Sequence, residues 1–204
     1  MPKTAFISGL LATASLILLA SCANTQVTGS WKDAAYNEKL SNVLVIGISD
    51  NITTRRMFED TIVKKFTEHG IEATSSATLA PQDKQLDKAA IEKIIEENDF
   101  GAVIITRMVG LKNETQYVPA TNYVTAPYYS SMYGFYNHAY GLAYDPGYMV
   151  DITIASLETN IYETADKQLI WSMTTESFAP NQIAQTISEL ESVIFRQLAK
   201  DGLI

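Results

Sequence analysis

The run Val43-Leu44-Val45-Ile46-Gly47-Ile48-Ser49 constrains the fold more than any other feature, because it is short, nearly all apolar and rich in β-branched side chains. Such a run reads as a strand buried on both faces, the habit of strands inside a parallel sheet. The next residues agree with that reading. Ser49-Asp50-Asn51 is a turn and helix-cap cluster, after which Phe58, Ile62 and Phe66 recur at fourfold spacing beside Met57 and Val63 until His69-Gly70 closes an amphipathic helix. Ile71 to Thr74 offers a short second strand. A second helix begins at Asp87, whose side chain suits a cap, with Ile91, Ile94 and Ile95 on its buried face, and Phe100 to Val109 is the third strand. The β-α-β-α-β order predicts parallel pairing through crossover helices.

Past residue 148 the pattern changes. Val150, Ile152 and Ile154 alternate with Asp151 and Thr153, marking a sheet with one wetter face, and the alternation then slips phase to Ala155, Leu157 and Ile161. A β-bulge near Ile154-Ala155 accounts for the slip, and so does a strand buried on both sides. Thr164-Ala165-Asp166-Lys167 is a turn, and Leu169, Trp171 and Met173 return on a partner strand. Pro180 suits the start of a helix whose stripe is Ile183, Ile187, Leu190, Ile194 and Leu198, ending near Gly202. The expected fold class is therefore α/β (α+β): a single mixed sheet, β-α-β-α-β followed by a long antiparallel β-hairpin, with a C-terminal helix packed on the sheet. Trp31 and Trp171 are expected as core or seam aromatics.

The amino-terminal segment carries a different signal. Lys3 is its only charge, an apolar run interrupted by small residues extends from Leu10 to Leu19, and Leu19-Ala20-Ser21-Cys22 comes next. This is the pattern of a lipoprotein signal peptide over residues 1–21, with cleavage between Ser21 and Cys22 and a lipid on the Cys22 thiol. The run is shorter than the roughly 20 apolar residues that a bilayer-spanning helix needs. Cys22 is also the single cysteine, so the mature chain is expected to hold no disulfide and no free thiol. Ala23 stands where aspartate would favour inner-membrane retention, which directs the expectation to the outer membrane, facing the periplasm. Residues 22–29 are expected as a lipidated tether and residues 30–204 as one domain.

Four stretches together carry a resemblance: the export signal with its lipobox; Ser30-Trp31-Lys32-Asp33; the strand Val43 to Ser49 followed by Arg55-Arg56-Met57-Phe58-Glu59; and Asn160-Ile161-Tyr162-Glu163-Thr164-Ala165-Asp166-Lys167-Gln168-Leu169-Ile170-Trp171-Ser172. The chain resembles an uncharacterised family of bacterial envelope lipoproteins, whose domain is similar to the amino-terminal domain of TolB and to the core of the curli-secretion lipoprotein. The resemblance implies a fold and a location. It brings no catalytic residues.

Charge and residue inventory narrow the function classes. A formal net charge of −8 without a compensating Lys/Arg cluster argues against nucleic acid as a partner and against electrostatic adhesion to anionic lipid, leaving membrane association to the acyl chains. The histidines, His69 and His138, lie far apart in sequence, and with the thiol consumed no zinc-type ligand set is expected. No G-x-S-x-G elbow, Walker loop or G-x-G-x-x-G occurs. The expectation is a non-enzymatic module with no metal and no cofactor beyond the covalent lipid on Cys22.

The unusual feature of the mature chain is an insert at 117–148 that holds nine of the eleven tyrosines and, from Tyr117 through Tyr144, no charged residue. Tyrosine combines a large apolar ring with a hydroxyl at low entropic cost, so such a segment suits a binding surface for an envelope protein or a glycan. Tyr123, Tyr128, Tyr129, Tyr133, Tyr136, Tyr140 and Tyr144 are the candidate partner-binding residues. A tolerated low-complexity surface insertion is the bland alternative. The rival site is Asp50 to Arg56, at the carboxyl end of the first strand, where open α/β sheets hold ligands and where a small-ligand or hydrolytic site would form. The simpler reading there is a helix cap at Asp50 and Asn51, with Arg55, Arg56 and Glu59 on a solvated face. Arg107 is expected as an edge residue or salt-bridge partner.

Overall fold

The computed structural model describes residues 24–80, 87–118, 131–133, 136, 147–178 and 182–204. Six strands form one mixed sheet: β1 (Thr25–Lys32), β2 (Asn42–Ile48), β3 (Glu72–Ser75), β4 (Ala102–Val118), β5 (Tyr148–Glu163) and β6 (Leu169–Phe178), in the spatial order β1-β6-β5-β4-β2-β3. β2 pairs in parallel with both β3 and β4, as the crossover helices require, while β4, β5, β6 and β1 continue the sheet in antiparallel pairs. The helices are α1 (Ile52–Glu68), the single turn α2 (Ser76–Leu79), α3 (Lys88–Asn98) and α4 (Ile183–Lys200).

The sheet is covered on two sides, though unequally. On one face Val43, Val45, Ile104, Ile161, Trp171 and Met173 pack against Phe58, Ile62 and Phe66 of α1 and Ile187, Leu190, Ile194 and Leu198 of α4. On the other, α3 lays Ile91, Ile94 and Ile95 over Leu44, Ile46, Val103 and Ile105. β2 is thereby buried on both sides, as its unbroken apolar run predicts. The caps obey local chemistry: Asn51 Oδ1 accepts the Thr54 amide at 3.0 Å and Asp87 Oδ1 the Ala90 amide at 2.8 Å.

Several expectations need correction. Residues 25–29, assigned to a tether, lie in β1, which pairs with β6 along its length, so the sheet begins three residues after Cys22. The third strand does not stop at Val109 but continues to Val118, and the tyrosine insert therefore begins and ends inside strands, with Tyr117 in β4 and Tyr148 in β5. The β4–β5 pairing shifts register between Met108 and Gly110 and the β5–β6 pairing between Ile161 and Tyr162, and none occurs at Ile154-Ala155. There both residues are buried, Ile154 pairing with Lys112 and Phe178 and Ala155 with Leu111 and Ser177. α4 starts at Ile183, beyond Pro180, and Ile183 itself is exposed. Trp171 is a core residue, but Trp31 is half exposed, on an edge strand.

Candidate functional site

At the carboxyl end of β2 the side chains do not spread into a solvated face. Glu59, four residues after Arg55 on α1, is 0% exposed and receives five hydrogen bonds. Its Oε1 accepts from the Gly47 amide at 2.9 Å, Arg55 Nε at 2.9 Å and Ser76 Oγ at 2.8 Å. Its Oε2 accepts from Ser75 Oγ at 2.7 Å and the Ala77 amide at 2.8 Å. Arg55 Nη2 donates in turn to Ser76 Oγ at 2.7 Å. Burial alone would raise the Glu59 carboxyl, but the donors from Gly47, Ser75, Ala77 and Arg55 outweigh it and hold the group below the ordinary carboxylate range. The solvated-face reading is thus wrong for Arg55 and Glu59. The pair is a buried clamp joining α1, β2 and the β3–α2 corner, with both carboxylate oxygens committed.

The remaining residues of that edge behave as caps and surface. Asn51 caps α1, and Arg56 is half-buried outside the clamp. A shallow open depression of about 580 Å³ lies at the other ends of the strands, lined by Asn42, Gly70, Glu72, Thr74 and Phe100 among others. Arg107 pairs across strands with Glu158 at 2.7 Å, and the hydrogen bond from Asn160 together with Arg107 holds the Glu158 carboxyl low. Among the described residues there is no group of three or more His, Cys, Asp and Glu side chains placed to hold a metal ion.

The second candidate region is the ribbon made by the outer halves of β4 and β5. β6 leaves β5 at Ile154, opposite Phe178, and β2 leaves β4 at Arg107, opposite Ile48. Beyond those points Asn113 to Val118 pair with Tyr148 to Thr153, six rungs with no further strand on either edge among the described residues. Exposed apolar and aromatic side chains run along the ribbon: Met108, Val109, Leu111, Tyr117, Tyr148 and Met149. Gly147 closes its outer end with φ +82°, where a Cβ would stand 2.5 Å from the Val118 carbonyl oxygen, so glycine is demanded by both backbone conformation and space. These residues were missed by sequence reasoning. The available signal was the Val150-Ile152-Ile154 alternation, which continues the ribbon on one strand only.

Of the tyrosines proposed for partner binding, Tyr133 and Tyr136 are described and exposed. Tyr123, Tyr128, Tyr129, Tyr140 and Tyr144 lie outside the described residues, as do Ser21 and Cys22.

The chain matches no family model and no curated protein. Among solved structures it is similar to lipoprotein GNA1162 from Neisseria meningitidis, at 14% identity and a TM-score of 0.42, over 78% of this chain and 99% of that one. It is also similar to the PelC dodecamer from Paraburkholderia phytofirmans, at 12% identity and a TM-score of 0.39, over 82% of this chain and 97% of that one. Among the described residues no helix is long and apolar enough to cross a membrane.

Proposed function

We propose that the chain is a lipid-anchored envelope protein, held by an acylated Cys22 on the periplasmic side of the outer membrane, that binds or assembles through its tyrosine-rich segment and catalyses no reaction. The observation that carries this reading is the lipobox Leu19-Ala20-Ser21-Cys22, which places the only thiol where acylation consumes it. An acylated cysteine bearing more than one chain anchors stably, since each buried methylene contributes about 0.8 kcal/mol. The rival ligand site at Asp50 to Arg56 is weakened by the clamp, because Arg55, one of the two cations it would use, turns inward to Glu59 and Ser76 and leaves Arg56 alone for that role. The ribbon supports the binding reading because the strand ends that flank the insert in sequence carry exposed aromatic and apolar side chains, Tyr117, Tyr148 and Met149.

Two experiments test the two halves of the proposal. With Cys22→Ser, cells fed labelled palmitate should yield unlabelled protein in the soluble periplasmic or precursor fraction. Label that persists, or unchanged membrane association, would remove Cys22 as the anchor. Deleting residues 119–146, the stretch between the ribbon strands, is expected to abolish recovery of the native envelope partner after crosslinking. An unchanged set of crosslinked proteins would end the case for the insert as a contact surface.

A further inference from the structure

The direction in which the ribbon projects carries a consequence for the anchored protein. β1 runs parallel to β5 and antiparallel to β6, and Thr25 pairs with Ser177. Just before it, the Asn24 carbonyl accepts the Phe178 amide at 2.9 Å, so Asn24 lies on the same rung as Phe178 and Ile154. The chain therefore leaves the sheet towards Cys22 at the end from which the ribbon extends. Cys22 lies two peptide steps from Asn24, a reach of at most about 7.6 Å at 3.8 Å per Cα step. The ribbon continues for six further residues of β5, Thr153 back to Tyr148, or about 20 Å at roughly 3.4 Å per residue. Its end thus passes the furthest reach of the lipidated residue by about 13 Å or more along the strand direction.

The chemistry of that end matches what it would meet. The three outermost rungs, Val118 with Tyr148, Tyr117 with Met149 and Gln116 with Val150, carry no charge, and Tyr148 and Met149 are 63% and 68% exposed. The first charges met on returning towards the sheet are Asp151, on the fourth rung, and Glu114, on the fifth. Tyrosine and methionine at the end of a charge-free stretch of about 10 Å suit the headgroup boundary, where aromatic residues collect at membrane surfaces. The domain's acidic balance gives anionic headgroups no electrostatic reason to hold it, so the contact depends on these apolar and aromatic groups.

We propose that the outer end of the β4–β5 ribbon, at Tyr117, Val118, Tyr148 and Met149, is a second membrane contact that enters the interfacial layer of the bilayer holding the Cys22 lipid. This rests on the acylation of Cys22 and adds an orientation: the sheet stands with its ribbon end down. Glu72, at the start of β3, belongs to the opposite end and faces the periplasm.

The test uses the full lipidated protein in phosphatidylethanolamine–phosphatidylglycerol vesicles, with a nitroxide on Tyr148→Cys, on Met149→Cys, or on Glu72→Cys as the reference; the native cysteine is blocked by its lipid. Collision with oxygen relative to a nickel chelate should be severalfold higher at 148 or 149 than at 72. Protein that floats with the vesicles while 148 and 149 show the same ratio as 72 overturns the ribbon contact and leaves the anchor standing. Protection from nickel without a gain in oxygen collision would assign the ribbon end to a protein interface and also overturn it. Protein that fails to float overturns the anchor, and the ribbon contact with it.

Discussion

Replacing Glu59 with alanine is expected to lower the unfolding free energy by about 3–5 kcal/mol, the range found when one partner of a buried ion pair is removed. The reason lies in what remains. Arg55 keeps its charge in a site that is 8% exposed, and the amides of Gly47 and Ala77 lose their acceptor inside the protein. Glu59→Gln should recover little of the loss. The amide offers one acceptor oxygen where the carboxylate offers two, and its NH2 group would face N–H donors on whichever side it is placed, at Ala77 or at Gly47 and Arg55. By contrast, Arg55→Met combined with Glu59→Leu removes both charges at similar volume and is expected to be considerably more stable than Glu59→Ala. Urea titrations of residues 23–204, monitored by circular dichroism, measure all three. A Glu59→Ala midpoint equal to that of the parent chain would show that the clamp contributes nothing.

The same group gives acid unfolding a definite sign. Its folded carboxyl lies below the ordinary value of 4.5, so its contribution to stability is fully present above the unfolded value and is lost as pH falls through the folded value. Stability of the parent chain should therefore fall below about pH 4.5 more steeply than that of the double variant lacking the pair. Coincident acid titrations would contradict the assignment.

What the sequence disclosed and what it concealed divide along a physical line. β2 was legible because a strand buried on both faces needs an unbroken apolar run, and the caps at Asn51 and Asp87 because their partners lie three residues away. Arg55 and Glu59 have the spacing of an ordinary solvated i,i+4 pair. The donors that bury them, Ser75 and Ser76, enter from 16 and 17 residues further on, where no helical period reports them. Among the described residues β1 pairs with β6 alone, roughly 140 residues or more away in sequence, and its alternation is polar, so it read as a tether. The outer half of β4 escaped for a related reason: with both faces exposed, Gly110 to Val118 has no apolar side to alternate against. The lipobox is the opposite case, a signal read by enzymes as a linear string and complete within the sequence.

Trp171→Ala is expected to cost about 3–5 kcal/mol, as other large aromatic truncations in cores do, through lost burial and the cavity left behind. Trp171 is 0% exposed on β6, between Lys32 of β1 and Ile161 of β5, in the cluster that seats α4 on the sheet. Its indole N–H also donates to Asp201 Oδ2 at 2.8 Å, the residue that caps α4, so the side chain ties the last helix to the centre of the sheet by packing and by a hydrogen bond. Trp171→Phe separates these contributions. It keeps most of the apolar volume, and Asp201 retains its bonds from Gln197, so a loss of about 1–2 kcal/mol is expected. Fluorescence gives an independent reading, because the other tryptophan, Trp31, is half exposed. The blue-shifted emission of the folded chain should vanish with Trp171→Ala and persist with Trp31→Phe. Unfolding free energies for Trp171→Ala and Trp171→Phe within about 0.5 kcal/mol of each other would show that the ring's volume is not what holds α4 in place.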